Sequence, residues 1–432
     1  MRLKTFFGGV HPKDWKYLAK DSATKVMPLP KVVLIDLAQH IGAPSKPIVK
    51  VGQTVLSGEL IAQKQGAVSC NIHSSISGTV KKIGTSINTS GKISPSITIE
   101  SDGLDKWVDL TDDKKYLSLS NQEIMNRIVE TGLCGMGGAG FPTHIKLTAK
   151  GVDTLILNGV ECEPFITSDY RLMIENSCEI VFGMEILMKI LNVKRGFIGI
   201  EQNKPKAIKI MKKATKDYKN IKVVPLKLKY PQGAEKPLIK ACTKREVPIK
   251  GGLPADVNVV VQNVATAFSV YQGVRYKKPL IERIVTISGT PVRRPRNIWV
   301  RVGTQISELL EYCGGTIDSV DKIISGGPMM GVSIPSNEGS ISKTTSSILY
   351  LTKDQNNQKP EHTCIRCGRC IDVCPLFLLP SRMANASKHE KWAEALDCGA
   401  KECMLCGCCS YVCPSNIKIV QWISVARDAL SK

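Results

Sequence analysis

The sequence predicts a multidomain protein in which β-rich modules flank an α/β layer and a cysteine-rich module follows at the C-terminal end. Three observations support this prediction. The chain has 432 residues, 43% of them hydrophobic, which is enough for several cores. Turn glycines recur through residues 30–100, and strand-like runs alternate with helical patterns through residues 105–275. Ten of the 16 cysteines lie between Cys364 and Cys413.

The composition argues against several classes of protein. The N-terminal segment has no apolar run long enough for an export signal, and no stretch approaches 18 uninterrupted apolar residues. A net charge of +21 would suit a nucleic-acid binder, but only 5% of the residues are aromatic and the basic residues are dispersed. We therefore expect a reduced, intracellular protein, soluble or peripheral to a membrane, that binds no nucleic acid.

Residues 1–105 predict a β module of the barrel-sandwich hybrid type. Its apolar residues and glycines follow the rhythm V-x-x-G-x-x-V-x-x-G and then S-G-x-V, within residues 48–62 and 73–80. This rhythm resembles lipoyl and biotinyl domains. Because no lysine occupies a Met-Lys-Met hairpin tip, we expect a docking or structural role rather than a swinging arm.

Residues 106–278 predict an α/β layer with a mainly parallel sheet. Strands are predicted at 154–158, 196–200, 221–228 and 257–261, and helices at 178–191 and 204–215. Ligands of such sheets bind at the carboxyl ends of the strands. Residues 279–352 predict a small α+β module, with strands at 284–287, 298–302 and 322–327 and a helix at 305–312.

Residues 353–432 predict a polar linker (353–360) and a bacterial-type ferredoxin domain with two 4Fe–4S clusters. Each of two cysteine runs has the spacing C-x2-C-x2-C-x3-C-P. The fourth cysteine of each run is expected to open a helix and reach the other cluster. Cluster one is therefore assigned to Cys364, Cys367, Cys370 and Cys413, and cluster two to Cys403, Cys406, Cys409 and Cys374. Zinc, the alternative, prefers ligands in two pairs.

A glycine-rich segment, 135–146, predicts a phosphate-binding loop. Glycines allow close approach of the backbone to a phosphate, and Lys146 could neutralise it. The alternative is an ordinary turn, because the segment is neither a G-x-G-x-x-G fingerprint nor a Walker A motif. The strand ending at Asn158 leads to Glu161 and Glu163, which either contact a flavin or nicotinamide or are solvated loop acids.

Several segments resemble known proteins when taken in order. The glycine loop, the Asn-x-x-Glu-x-Glu-Pro segment and residues 230–236 and 260–266 are together similar to the FMN- and NADH-binding flavoprotein subunit of respiratory complex I. The likeness extends to three more segments. They are the start at Phe7–Pro12, a segment at 326–331 typical of an SLBB β-grasp module, and the two-cluster C-terminal part. Nearly the whole chain resembles the RnfC family, whose members belong to Rnf-type ion-translocating ferredoxin:NAD oxidoreductases.

The resemblance implies residue roles. Gly135 and Gly137, with Gly138 of the same loop, and Lys146 would hold the FMN phosphate and ribityl chain. The residues implied to line the flavin pocket are Asn158, Tyr230, Gly233, Asn263 and Thr266. Glu161 and Glu163 would be the catalytic pair, facing the isoalloxazine and the nicotinamide side. The chain departs from the complex I pattern at Ala234, Lys236 and Gln262, so the implied nicotinamide contacts are less defined than the flavin contacts.

The resemblance also implies a function. The protein would be an NAD:ferredoxin oxidoreductase subunit with non-covalent FMN and two 4Fe–4S clusters, exchanging electrons with NAD(H) and with ferredoxin-linked partner subunits. The other membrane and peripheral subunits would couple this exchange to Na+ or H+ movement and hold the chain at the cytoplasmic side of the cell membrane. Two alternatives are a soluble cobalamin reductase of propanediol microcompartments and a non-catalytic electron-wiring scaffold.

Overall fold

The computed structural model describes residues 3–89, 91–356 and 359–429. Its first segment packs against distant parts of the chain. Residues 4–20, which we call the strap, pair with the α/β domain through bridges at Lys4–Leu226 and Val10–Tyr230. Next, β1 (Lys25–Val26) pairs in parallel with residues 298–299. The predicted 1–105 unit thus includes a segment whose backbone bonds are satisfied by other domains.

Two antiparallel sheets of the N-terminal module share one core. Its strands are β2 (Val32–Asp36), β3 (Lys46–Pro47), β4 (Thr54–Val55), β5 (Leu60–Gln63), β6 (Ile72–His73), β7 (Gly78–Ile87) and β8 (Ile93–Ser101). The sheet orders are β2-β8-β7-β4 and β3-β5-β6. Alternating residues such as Val33 and Ile35 on β2 point into the core with Ile61 of the second sheet, as in the predicted barrel-sandwich.

A four-stranded parallel sheet forms the centre of the α/β domain, in the order β11-β10-β9-β12. The strands are β9 (Thr154–Asn158), β10 (Arg195–Glu201), β11 (Ile221–Leu226) and β12 (Val259–Asn263). The helices are α1 (Asn121–Glu130), α2 (Thr143–Lys146), α3 (Ser168–Glu175), α4 (Ser177–Leu191), α5 (Pro205–Ala214), α6 (Glu235–Thr243) and α7 (Val264–Tyr276).

Both faces of this sheet are covered by apolar residues. Leu155 and Leu157 of β9 join one hydrophobic core, and Ile156 between them joins the other. A strand that is buried on both faces has a continuous run of apolar residues. This run is why β9 could be predicted from the sequence. The predicted strands of this domain and the helices α4 and α5 are confirmed with shifted ends, whereas α1, α2, α3, α6 and α7 were not predicted.

The third domain contains a mixed sheet in the order β1-β14-β13-β17-β15-β16. Its elements are β13 (Glu282–Ser288), β14 (Arg296–Arg301), α8 (Ile306–Tyr312), β15 (Lys322–Ser325), β16 (Val332–Ile334) and β17 (Ser347–Leu351). The predicted strands and helix of this module are confirmed. Residues 357 and 358 of the predicted linker lie outside the described part of the chain.

The described part of the C-terminal domain, residues 359–429, contains five helices. They are α9 (Arg369–Asp372), α10 (Pro380–Lys388), α11 (Trp392–Asp397), α12 (Cys408–Tyr411) and α13 (Ile419–Ala429). The expectation that each Cys-Pro opens a helix is wrong. A residue in the left-handed region, Phe377 (φ 55°) or Asn416 (φ 52°), follows each Cys-Pro and delays the helix. Among the described residues, no helix is long and apolar enough to cross a membrane.

Candidate functional site

The glycine loop is closed at its base by backbone pairing. Cys134 and Pro142 form an antiparallel bridge, and the Gly135 N–H donates to the Phe141 carbonyl across 2.8 Å. The segment between them is therefore a defined loop, which begins after α1 and leads directly into α2. Its backbone is held at both ends, and residues 137–139 between them are exposed.

The loop rests on the start of α7. The Met136 N–H donates to the buried Thr266 Oγ1 across 2.9 Å. Gly137 has φ 76°, and a Cβ added there would lie 2.5 Å from Asn263 Nδ2, so a side chain does not fit. A Cβ at Gly138 would meet nothing within 4 Å. The loop thus combines a tightly packed glycine with an open one, which leaves exposed backbone for a ligand.

Two asparagines mark the carboxyl ends of neighbouring strands. Asn158 of β9 and Asn263 of β12 are register partners. The Asn158 Nδ2 donates to the Gly233 carbonyl across 2.8 Å. The Asn263 Oδ1 caps α7 by accepting from the Ala265 N–H, and its Nδ2 donates to Asp169 Oδ2 across 2.7 Å. These bonds bring the predicted flavin residues to one sheet edge, where ligands of parallel sheets bind.

Glu161 is buried at this edge in an unusual backbone conformation. Its side chain is 4% exposed and its φ is 46°. The Oε1 atom accepts from the Asp169 N–H across 2.7 Å, whereas Oε2 has no hydrogen-bond partner among the described residues. Burial raises the pKa of Glu161 to about 7, and the charge of Lys16 acts against that rise. The alternative of a solvated loop acid is wrong for this residue.

Glu163 contacts the third domain. Its Oε1 accepts from the Met330 N–H at 2.9 Å, and its Oε2 accepts from the Met329 N–H at 3.1 Å. A Cβ added at Gly327 would lie 2.1 Å from Oε2, so this close approach requires glycine. Burial raises the pKa of Glu163 to about 7. The carboxylate therefore anchors the loop at 326–331, a contact that the sequence did not indicate, and its nicotinamide-facing role stays a prediction.

Lys146 closes α2 beside α6. Its Nζ lies 2.7 Å from Glu235 Oε1, and both side chains are about one-third exposed. A partly solvated ammonium group at the end of the glycine loop can change partner at little cost. Its predicted contact with a phosphate stays a prediction.

Tyr230 joins this site to the cysteine domain. Its side chain is buried, and its hydroxyl donates to the Cys406 carbonyl across 2.8 Å and lies 3.4 Å from Glu163 Oε1. The Cys408 thiol lies 3.8 Å from the Tyr230 carbonyl. The second cysteine run therefore packs directly on the predicted flavin segment.

The four cysteines assigned to cluster two line one cavity. Cys403, Cys406 and Cys409 from the second run meet Cys374 from the first run there, among apolar neighbours. The Leu405 N–H points at the Cys403 sulfur across 3.4 Å. This arrangement fits the predicted exchange of the fourth cysteine between runs.

The four cysteines assigned to cluster one lie nearer to solvent. Cys364 and Cys367 are exposed, Cys370 is buried and Cys413 is partly buried. The chain beside Cys364 is tied to the chain beyond Cys413, because the His362 N–H donates to the Ser415 carbonyl across 2.8 Å. The two predicted cluster sites therefore differ in exposure, with cluster two inside and cluster one at the edge.

The two cysteine runs have the same local geometry. The Arg366 N–H points at the Cys364 sulfur across 3.4 Å, as Leu405 does at Cys403. Gly368 (φ 77°) and Gly407 (φ 80°) precede α9 and α12. Across the described ranges, no group of three or more His, Cys, Asp or Glu residues is arranged to hold one metal ion. The four cysteines that hold a 4Fe–4S cluster each bind a different iron atom. Their sulfur atoms therefore lie farther apart than the ligands of a single zinc ion, and this wider arrangement suits a cluster.

Unpartnered buried polar atoms support a ligand in the α/β domain. Besides Glu161 Oε2, both polar side-chain atoms of Gln232 and Nε2 of Gln262 are buried without a hydrogen-bond partner in the described part. Buried polar groups of this kind are normally satisfied. With the open Gly138, they fit a polar cofactor such as FMN. The sequence missed Gln232, and also the neighbours Asp169, Lys16 and Lys204.

Comparison with known proteins identifies the family. Residues 4–104 match the RnfC barrel sandwich hybrid domain, and residues 128–272 match the Nuo51 FMN-binding domain. One subunit of the proton-translocating ferredoxin:NAD(+) oxidoreductase complex of Clostridium ljungdahlii is 48% identical over 397 residues, covering 91% of this chain and 86% of the relative. The chain belongs to the RnfC family.

Other RnfC relatives match over similar lengths. The corresponding subunit of the ion-translocating oxidoreductase complex of Rhodobacter capsulatus is 42% identical, and the match covers 98% of this chain and 83% of the relative. That of the Na(+)-translocating ferredoxin:NAD(+) oxidoreductase complex of Acetobacterium woodii is 41% identical, covering 90% of this chain and 88% of the relative. The family resemblance read from the sequence is therefore confirmed.

Two further family models match the later domains, and one solved structure of another protein shares the fold. Residues 284–333 match the SLBB domain and residues 362–417 match the 4Fe-4S dicluster domain. A crystal structure of NAD+-reducing NiFe hydrogenase in the H2-reduced state aligns with a TM-score of 0.50 at 16% identity, covering 74% of this chain and 63% of that chain. The predicted fold class is confirmed in its order of domains, while the domain boundaries stay predictions.

Proposed function

We propose that this RnfC protein is the NAD(H)-linked electron-transfer subunit of a membrane-bound ferredoxin:NAD oxidoreductase complex. The α/β domain would hold FMN and the C-terminal domain two 4Fe–4S clusters. The observation that carries the proposal is the hydrogen bond from Tyr230 to the Cys406 carbonyl, because it joins the predicted flavin segment to the predicted loop of cluster two. The names of the relatives and the matched domains support the same assignment.

The chain supplies binding and separation from solvent. FMN, when bound, supplies the exchange between the electron pair of NAD(H) and the single electrons that iron–sulfur clusters carry. The backbone of Gly135, Gly137 and Gly138 and the ammonium of Lys146 would hold the phosphate and ribityl chain. The residues that would surround the ring are Asn158, Glu161, Tyr230, Gly233, Asn263 and Thr266.

Glu161 and Glu163 would have different tasks. The free Oε2 of Glu161 is available to a bound ligand, so we assign it the contact with the flavin. Glu163 holds the 326–331 loop and Tyr230 in place, so its catalytic contribution would be to keep water out of the path toward cluster two. The NAD(H) contacts would lie on the same sheet edge.

The complex would couple this electron exchange to Na+ or H+ movement through its other subunits. The relatives are subunits of ion-translocating complexes, so we assign ion movement to the partner subunits and propose that this chain lies peripherally at the cytoplasmic side. The exposed Cys364 and Cys367 would put cluster one where electrons pass to or from a ferredoxin-linked partner.

Anaerobic purification of the full chain tests the proposal. We expect one FMN and about eight irons per chain, with two four-iron clusters, and bleaching of the flavin absorbance by NADH. Absence of FMN, of bleaching and of iron would overturn it. Intact clusters without FMN would instead favour an electron-wiring scaffold, and NADH-dependent reduction of cobalamin would favour the microcompartment enzyme.

A further inference from the structure

Lys16 of the strap is buried beneath the predicted flavin site. Its side chain is 5% exposed. The Nζ atom donates to the Glu163 carbonyl across 2.9 Å and to the Ile166 carbonyl across 2.5 Å, and it lies 3.9 Å from Glu161 Oε2. An ammonium group is buried only when hydrogen bonds and counter-charges compensate for lost hydration. Lys16 therefore belongs to this site although it lies far away in the sequence.

The strap fixes Lys16 through its neighbours. The Phe165 N–H donates to the Asp14 carbonyl across 2.7 Å. The rings of Trp15 and Phe165 stack with their centroids 5.5 Å apart and their planes within 4°. These contacts flank Lys16 and hold the strap against residues 163–166. The position of the ammonium group is thus set by the backbone and by aromatic packing as well as by its own bonds.

Glu161 depends on the charges around it. Its Oε1 accepts from the Asp169 N–H, while its Oε2 faces Lys16 without a hydrogen bond. A second buried ammonium, that of Lys204, donates to the carbonyls of Val160 and Glu161 from the start of α5. The titratable and charged groups that interact with the Glu161 carboxylate are Lys16 from the strap, Asp169 and Tyr170 from α3 and Lys204 before α5. Behind them, Glu201 at the end of β10 interacts with both lysines, and Arg283 on β13 interacts with Asp169.

We propose that Lys16 is a positioning residue of the flavin site, which holds the backbone of residues 163–166 and places a positive charge beside the free oxygen of Glu161. The ammonium group favours the ionised form of the Glu161 carboxyl and fixes its orientation. The inference rests on the proposed FMN site and assigns to it a residue from a different domain. It also gives a purpose to the strap, whose Gly-Gly-Val-His-Pro start leads to Lys16.

The charge of Lys16 has a defined effect on Glu161. Burial raises the pKa of Glu161 to about 7, and Lys16 acts against that rise. Removing the charge therefore moves the pKa upward, so that Glu161 binds a proton at a pH where the wild type is ionised. A purely structural role for Lys16 would not move this titration.

Infrared spectroscopy of the full chain tests the inference. The Glu161 band of a protonated carboxyl group, identified by its loss in Glu161→Gln, is followed against pH. In Lys16→Gln, which keeps an N–H donor but removes the charge, we expect the titration midpoint to rise by about one pH unit or more. Lys16→Arg, which keeps the charge, should hold the midpoint near the wild-type value. An unmoved midpoint in Lys16→Gln would overturn the proposal.

A second strap lysine provides the matched control. The Lys4 Nζ also donates to a backbone carbonyl, that of Cys242, across 3.0 Å. Lys4→Gln should leave the Glu161 titration unchanged. A shift of equal size in Lys4→Gln would attribute the effect to the strap as a whole and overturn the assignment to Lys16.

The flavin midpoint potential gives an independent reading. A plot of this potential against pH should have an inflection where Glu161 titrates. The pH of the inflection should be higher in Lys16→Gln, and the inflection should disappear in Glu161→Gln and in the double variant. If Lys16→Gln does not fold, Glu161→Gln decides, because an inflection that remains there would overturn the inference. A wild-type chain without FMN would contradict the proposed function, while the infrared titration would still decide the role of Lys16.

Discussion

Lys146 forms an ion pair with Glu235 across 2.7 Å at the mouth of the glycine loop, and both groups keep contact with solvent. Exposed pairs of this kind contribute about 0–1 kcal/mol. A phosphate that enters the loop would therefore compete for the ammonium group without a large penalty. The pair also holds the Lys146 ammonium group beside the start of α6 before a ligand arrives.

Lys146→Ala should weaken FMN binding by about 10-fold to 100-fold, because a hydrogen bond to a charged group contributes about 1.5–3 kcal/mol. Iron content should not change. The measurement is the flavin occupancy of anaerobically purified protein and the dissociation constant for added FMN. Lys236→Ala is the control, since the Lys236 Nζ donates to the Pro248 carbonyl. Unchanged flavin occupancy in Lys146→Ala would contradict the phosphate role.

Some site residues could be read from the sequence and others could not. Glu161 and Glu163 follow directly from a strand end, so local order revealed them. Lys16 could not be found, because it is one of 59 lysines and arginines and its partner Glu163 lies 147 residues away. Gln232 gave no signal either, because a glutamine is usually exposed and nothing in the local sequence marks this one as buried. The cysteines were the easiest, since their spacing is imposed by the cluster itself.

At the scale of elements, the strap joins the α/β domain to the C-terminal domain. The Gly9 N–H donates to the Val373 carbonyl across 2.8 Å, while Val10 pairs with Tyr230. A Cβ added at Gly8 would lie 2.9 Å from the Val373 carbonyl oxygen. The two glycines let the strap pass between the flavin segment and the loop that carries Cys374.

Gly9→Ala should loosen this junction. The position has φ 79°, and a Cβ would lie 2.5 Å from the Tyr230 carbonyl oxygen. We expect a loss of about 2–4 kcal/mol in stability, of which about 1–2 kcal/mol comes from the backbone conformation. The measurement is thermal unfolding, with proteolysis of the 359–429 domain as a second readout.

Gly52→Ala is the matched control for Gly9→Ala. Gly52 has φ 87°, and a Cβ there would meet nothing within 4 Å. Gly52→Ala should therefore lose only the part of the stability that the backbone conformation accounts for, about 1–2 kcal/mol. Equal losses of stability in Gly9→Ala and Gly52→Ala would show that the close approach to Tyr230 contributes nothing to the effect.

The cysteine runs allow a second prediction at this scale. Because Cys374 lies in the cavity with Cys403, Cys406 and Cys409, Cys374→Ser should damage cluster two and spare cluster one. Cys413→Ser should do the opposite. Electron paramagnetic resonance of the reduced protein distinguishes the signals of the two clusters. The iron content measures how much of the cluster is lost. The reverse pattern would show that each run holds its own cluster.

Element boundaries show where sequence reasoning works. Strands β9 to β12 were predicted from apolar runs, and the run is nearly continuous in β9 and β12, which are almost fully buried. The edge strand β11 was found despite its exposed Lys222. The pairing of β1 with β14 was not predicted, since a two-residue strand has too little pattern to reveal a partner more than 270 residues away. The helix after each Cys-Pro was misplaced because a left-handed residue interrupts the chain there.

At the scale of the molecule, charge is the dominant feature. The formal net charge is +21. Two 4Fe–4S clusters with their thiolates would remove about 4–6 of these charges, so the loaded protein stays strongly basic. Such a surplus of positive charge attracts acidic surfaces over about one Debye length, roughly 8–10 Å at physiological salt. We therefore expect acidic faces on the neighbouring subunits or anionic lipid headgroups beneath them.

Association with the other subunits should weaken as salt increases. Raising ionic strength from about 0.05 to about 0.5 M should increase the dissociation constant by about 10-fold or more, because screening shortens the reach of the charge. Co-purification or surface-binding assays of the assembled complex measure this. Flavin and iron content should stay constant across the series. Binding that is independent of salt would contradict a charge-driven contact.

The meeting of Gly9 with Val373 also sets an order of events during synthesis. Most of the chain separates these residues, so the strap leaves the ribosome long before the loop that carries Cys374 exists. Lys16 can dock once residues 163–166 are made, whereas Gly9 must wait for the final domain. The junction between the strap and the C-terminal domain is therefore among the last contacts that the growing chain can form, although one side of it is made first.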